Sequence, residues 1–259
     1  MIPIGDELPT LRRPWMTWVI IGVTFAVWIL VQGGGFDTAR LIASTCDLGM
    51  VPGEITHLAR IGSGIDLGNG TACLIDDERI NIWTPLISIF LHGSWMHVGG
   101  NMLFFWVFGN NIEDSMGPWR FLAFYLLCGL AAGAAHILTS PASPVPTVGA
   151  SGAISGIMGA YLLLFPRVRV RLWFPPIFIL PFRAWMVLIW WFVEQVVIGL
   201  PQLNPMRPDT SGGVAVWAHV GGFLAGMALI HLFTISAYVD ELQRLYKQLQ
   251  EGRSGFARW

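Results

Sequence analysis

Gly149-Ala150-Ser151-Gly152-Ala153-Ile154-Ser155-Gly156 stands between a Pro-rich loop, residues 141–147, and a long apolar run, residues 157–165. Ser151 therefore falls where a loop becomes a membrane-embedded helix. A serine at a helix start has free backbone N–H groups beside it, which can hold a developing oxyanion. Gly149, Gly152 and Gly156 flank it, and small residues at this spacing let a second helix or a substrate backbone come close. The same pattern is ordinary packing in membrane helices. A catalytic reading needs a base and oxyanion donors from elsewhere in the chain, at the same depth.

Composition sets the environment. Of 259 residues, 54% are hydrophobic and only 12% charged, against about 25% charged in soluble domains. That balance predicts a polytopic membrane protein, with the bilayer as its constant partner. Thirteen Trp and sixteen Phe suit interfacial belts and lipid-facing surface. A net charge of −1 leaves no footprint for nucleic acid. The cysteines, Cys46, Cys73 and Cys128, lack zinc-type spacing.

Hydropathy divides the chain into a cytoplasmic N-terminus (1–14), a membrane domain (15–235) and a polar helical tail (236–259). Six spans are expected, at 15–31, 96–112, 119–138, 148–165, 184–200 and 214–235. The class is all-α, a six-transmembrane-helix bundle. A cleaved signal peptide is the rival reading of 15–31, disfavoured by its length and the lack of a clear cleavage site. Residues 33–95 form a long outer loop, polar to about residue 81 and then a Pro85-broken segment read as interfacial. Cys46 and Cys73 share this loop, and an oxidising compartment permits a disulfide between them.

Arginines orient the bundle. Arg12, Arg13, Arg167, Arg169, Arg171, Arg183 and Arg244 lie on one side, with Arg40, Arg60, Arg79 and Arg207 on the other. The positive-inside rule puts both termini in the cytoplasm and Ser151 at the outer end of its span. Short ends without a transit peptide suggest a bacterial inner membrane.

Two further spans supply chemistry at the depth of Ser151. His219 lies one or two turns into the sixth, where Gly222 and Gly226 repeat the small-residue spacing. Two small faces let the fourth and sixth spans touch, so His219 reaches Ser151 as general base. His97 and Asn101, four apart at the start of the second span, share a face and offer N–H donors to an oxyanion. A packed histidine and an interhelical polar pair are the plain alternatives. Glu194 is the acid nearest this level, and a Ser–His dyad is preferred to a triad through it. His92 is read as outside the site.

These motifs, Gly149-Ala150-Ser151-Gly152, His97-x-x-x-Asn101 and Ala218-His219-x-x-Gly222-x-x-x-Gly226, resemble the rhomboid family of intramembrane serine proteases. The resemblance implies a rhomboid-like six-helix fold with a water-filled cavity open to the outer side. It implies serine endopeptidase activity on single-span transmembrane protein substrates, with no metal or cofactor. Ser151 would be the nucleophile, His219 its base, and His97, Asn101 and the Ser151 N–H the oxyanion donors. The fifth span and the loop 201–213 would act as gate and cap. One departure concerns residue 155, where well-studied members carry an aromatic that stacks on the histidine and this chain has Ser155. Trp217, Tyr161, Trp190 or Trp191 could substitute, or the Ser155 hydroxyl could bond the imidazole. A catalytically inactive client-binding relative, and a metal or transport protein using His92, His97 and His219, are the competing functions.

Overall fold

The computed structural model describes residues 2–68, 71–203 and 215–256. Helices run in the order α1 (Trp15–Leu30), α2 (Thr38–Leu48), α3 (Pro52–Ile55), α4 (Thr84–Ile87), α5 (Trp95–Met116), α6 (Pro118–Thr139), α7 (Ser151–Leu164), α8 (Ala184–Gly199), α9 (Val216–Phe233) and α10 (Ser236–Phe256). Among the described residues, three helical segments are long and apolar enough to cross a membrane: Pro118–Thr139, Ala184–Leu203 and Val216–Phe233. Helices α1 and α7 are apolar but shorter. The cap expected at 201–213 lies outside the described residues from 204 onward, as does the expected start of the sixth span at 214.

The fold is mostly helical, and the all-α expectation needs correcting. Strand β1 (Ile2–Asp6) pairs antiparallel with β4 (Arg169–Phe174), which pairs with β5 (Phe178–Arg183). A second hairpin, β2 (Gly64–Gly68) with β3 (Thr71–Leu74), sits in the long loop. Val170 and Leu172 alternate inward with outward Arg169 and Arg171, the period-two pattern of a half-buried strand. Hydropathy spanning 18 residues does not register strands of five or six.

The N-terminal segment is built into the fold. Pro14 gives α1 no side-chain cap. Glu113, from α5, supplies one instead: its carboxylate accepts from the N–H groups of Met16 (2.9 Å) and Thr17 (2.7 Å). Asp114 accepts from the Arg12 backbone (3.3 Å) and its guanidinium (2.9 Å). An anion at a helix start is favoured by the free N–H groups there. Both acids thus lie inside α5, which runs four residues beyond the expected span end at 112, and only Gly117, at φ +80°, turns the chain into α6.

Cys46 and Cys73 form the disulfide, joining α2 to β3. The long loop is pinned to the Pro-rich loop by Met50 N–H to Thr147 O (3.0 Å), Thr147 N–H to Met50 O (2.8 Å) and Gly53 N–H to Ser143 O (2.9 Å). That holds the approach to Ser151. The core beneath is aromatic, with Trp28, Phe105, Phe108, Phe121, Phe124, Tyr125 and Tyr161 fully buried.

Candidate active site

Ser151 is the first residue of α7, and Ala150 before it offers no side-chain cap. The helix therefore starts with its first N–H groups uncommitted to a capping side chain. Ser155 donates its hydroxyl to the Ser151 carbonyl (2.6 Å), so it is not a partner of the imidazole.

Helices α7 and α9 meet through glycine. A Cβ built on Gly222 would land on the Gly152 carbonyl, and one on Gly226 on the Gly156 carbonyl. Side chains at Gly152 and Gly156 would strike Ala132 and Cys128 of α6, at 2.6 and 2.5 Å. Only backbone-to-backbone contact brings the helix axes near enough for short side chains to bridge them. His219 Nε2 then lies 2.8 Å from Ser151 Oγ.

The other ring nitrogen has a partner that sequence reading missed. His219 Nδ1 is 2.7 Å from Gln195 Oε1, a buried residue of α8. An amide oxygen accepts only, so this bond puts the proton on Nδ1 and leaves the Nε2 lone pair for the serine hydroxyl. Gln195 is uncharged and so carries no acid signal in the sequence. Its neighbour Glu194 faces outward and lines a separate cavity with Phe104, Phe108 and Trp191. Trp191 also settles which aromatic meets the imidazole, with ring centroids 5.7 Å apart and a 38° tilt. Trp217 instead donates to Gly199 O, Tyr161 donates to Asp6, and Trp190 is 64% exposed.

Helix α5 presents the third group. Ser94 caps it, accepting from the His97 N–H (3.1 Å). His97 Nδ1 accepts from the Gly93 N–H (3.3 Å), which assigns the ring proton to Nε2. A Cβ on Gly149 would sit 2.8 Å from His97 Nε2 and 3.6 Å from Asn101 Nδ2. Gly149 also adopts φ +131°, so both space and backbone demand glycine there. Asn101 Nδ2 is buried with no hydrogen-bond partner among the described residues. A buried donor left unpaired is costly, and this one lies beside Gly149 and His97 Nε2. His92, expected outside the site, is buried against His97 with ring centroids 5.0 Å apart. Gln32 holds the His92 backbone at both N–H and C=O, each at 2.8 Å.

A cavity of about 450 Å3 opens over these groups, lined by Ser151, His219, His97, Gly149, Met50 and Ala218 among others. Serine hydroxyl, oriented imidazole and the His97 ring thus line one concave space, with Asn101 Nδ2 buried behind Gly149 at its wall.

Comparison with known proteins gives the family of the chain. Residues 79–236 match the model of the Rhomboid domain. The chain is 34% identical over 148 residues to RHOMBOID-like protein 5 of Arabidopsis thaliana, covering 57% of this chain and 42% of that one. It is 31% identical over 183 residues to Rhomboid protein 1, mitochondrial, of Saccharomyces cerevisiae, covering 66% and 45%. Rhomboid protease GluP of Bacillus subtilis is 40% identical over 80 residues, covering 31% and 15%. The chain thus spans less than half the length of these curated relatives.

Proposed function

The chain belongs to the rhomboid family of membrane proteins, and from that premise we propose that it is an intramembrane serine endopeptidase, cleaving single-span membrane proteins in or near their spans. The observation that carries the reading is the 2.8 Å contact between His219 Nε2 and Ser151 Oγ across two helices.

The chemistry follows from the atoms. Ser151 Oγ attacks the scissile carbonyl as its proton passes to His219 Nε2. Gln195 Oε1 keeps the imidazolium oriented through Nδ1–H. The new oxyanion takes hydrogen bonds from His97 Nε2–H, Asn101 Nδ2–H and the Ser151 N–H. His219 then gives its proton to the leaving amine, and water, activated by the same nitrogen, releases the acyl group. Side chains and backbone alone perform every step, so the reading calls for no cofactor.

Six spans, α1 and α5 to α9, are part of this proposal. With 14 residues, α7 is about 21 Å long, against about 30 Å of hydrocarbon. The shortfall leaves room for a water-filled recess above Ser151. The relatives named for mitochondria give no support to a bacterial inner membrane.

The test is cleavage of a reconstituted single-span substrate, with fluorophosphonate labelling in parallel. Ser151→Ala and His219→Ala are expected to abolish both. Cleavage at the wild-type rate by Ser151→Ala would overturn the assignment. Folded wild-type protein that neither cleaves nor labels would identify a non-enzymatic client binder.

A further inference from the structure

At the end of α7 remote from Ser151, a cavity of about 610 Å3 lies between the helix terminus, the β4–β5 hairpin and α10. Four cations line it: Arg167, Arg169, Arg183 and Lys247. None of the three arginines makes an ion pair among the described residues, and Lys247 has only a loose 3.9 Å contact with Glu251. The walls are tied in place. Gln243 Nε2 donates to Leu164 O (3.0 Å) and the Tyr246 hydroxyl to Arg167 O (3.2 Å).

The hairpin adds a second, independent observation. Arg169 pairs in register with Arg183, Arg171 with Pro181 and Trp173 with Ile179. Alternation sends these six side chains to one face, arginine at the base and apolar groups toward the tip. The tip is bare: Ile177 is 74% exposed, Phe178 64% and Ile179 54%. Four residues separate Arg169 from Trp173, about 13 Å of strand. That distance exceeds the depth of one polar head-group layer, so a tip in hydrocarbon leaves the arginines at phosphate level.

We propose that this cavity binds the phosphate of an anionic phospholipid head group, while the β4–β5 tip lies among the acyl chains of the same leaflet. Guanidinium groups take phosphate oxygens in pairs. A free phosphate ion would use the cations but gives no role to the apolar tip, and so the lipid is the favoured source. The site is separate from the Ser151 cavity and does not depend on catalysis.

The experiment is native mass spectrometry of the full chain released from nanodiscs of phosphatidylcholine with a minor share of phosphatidylglycerol. Thermal unfolding in detergent checks the fold of each variant. Wild type is expected to retain phosphatidylglycerol over phosphatidylcholine. Arg169→Gln with Arg183→Gln should weaken that retention roughly 30-fold, at the usual contribution of a cation near a lipid surface. Lys247→Gln should weaken it roughly fivefold, and Phe178→Asn should weaken it with the cations intact. Arg60→Gln, in the long loop, should match wild type. Unchanged retention in the double variant, equal loss in Arg60→Gln, or displacement of the lipid by millimolar inorganic phosphate would each overturn the proposal.

Discussion

Replacing Gln195 by leucine keeps the volume of the side chain and removes the acceptor for His219 Nδ1–H. In the resting site the lost bond joins two neutral groups, worth about 1 kcal/mol. In the transition state the imidazole carries a proton on each nitrogen, and a bond to a charged group is worth about 1.5–3 kcal/mol. Part of this difference, together with freer rotation of the ring, falls on the chemical step. Gln195→Leu is therefore expected to lower kcat by roughly 2- to 30-fold with little change in KM. Trp191, 5.7 Å from the ring, still confines the imidazole, so loss should be partial. Gln195→Glu provides the complementary arm. A carboxylate at this position favours imidazolium, moving the acidic limb of the rate profile to higher pH and slowing cleavage in mild acid. The assay is initial-rate cleavage of a single-span substrate in liposomes across a pH series. Wild-type kcat in Gln195→Leu, or a loss confined to KM, would refute the orienting role.

Asn101→Ala should cost about 10² to 10³ in kcat, the scale of one oxyanion donor, without lowering thermal stability. Gly226→Ala drives a methyl into the Gly156 carbonyl and, through the α7–α9 separation, should lower both thermal stability and fluorophosphonate labelling of Ser151. Cys73→Ser opens a crosslink between positions 27 apart and should cost about 3–4 kcal/mol on the chain-entropy model, matched by reductant treatment of the wild type. Burial raises the Asp6 carboxyl from 3.8 to about 6, against hydrogen bonds from Tyr161, the Leu8 N–H and Asn111 that oppose the rise. The folded state thus holds this proton more tightly than the unfolded chain. Stability from this group is complete below about pH 4 and fades as pH rises through about 6. Asp6→Asn should flatten that decline in a denaturation series over the same range.

Much of the candidate site was legible because it rests on local chemistry repeated at fixed spacing. Ser151 at a loop-to-helix junction, glycines four apart on two spans and His97 with Asn101 on one face are statements about helical period, which sequence carries directly. Their common depth followed from counting residues inward from span ends. The disulfide was legible only as a possibility, since two cysteines in a loop do not reveal their separation.

What escaped notice depends on partners distant in sequence. Gln195 is an ordinary polar residue beside a more conspicuous acid, and only the rotation of α8 turns the amide inward and Glu194 outward. Which aromatic met His219 was likewise undecidable, because Trp190 and Trp191 differ by one step of 100° around the same helix. The β1–β4–β5 sheet joins residues as distant in sequence as Ile2 and Trp173, and its strands are too short to leave a hydropathy signal.

Sequence by itself determined the solvent, the succession of apolar segments, the glycine seams and the identity of the nucleophile and base candidates, because each is a matter of local composition or helical period. Tertiary structure alone decided the tautomer of His219, the capping of α1 by Glu113, the burial of His92 and the arginine-lined recess. Those properties belong to atoms brought within about 3 Å by helix rotation and strand register, and no spacing along a single chain encodes such an approach.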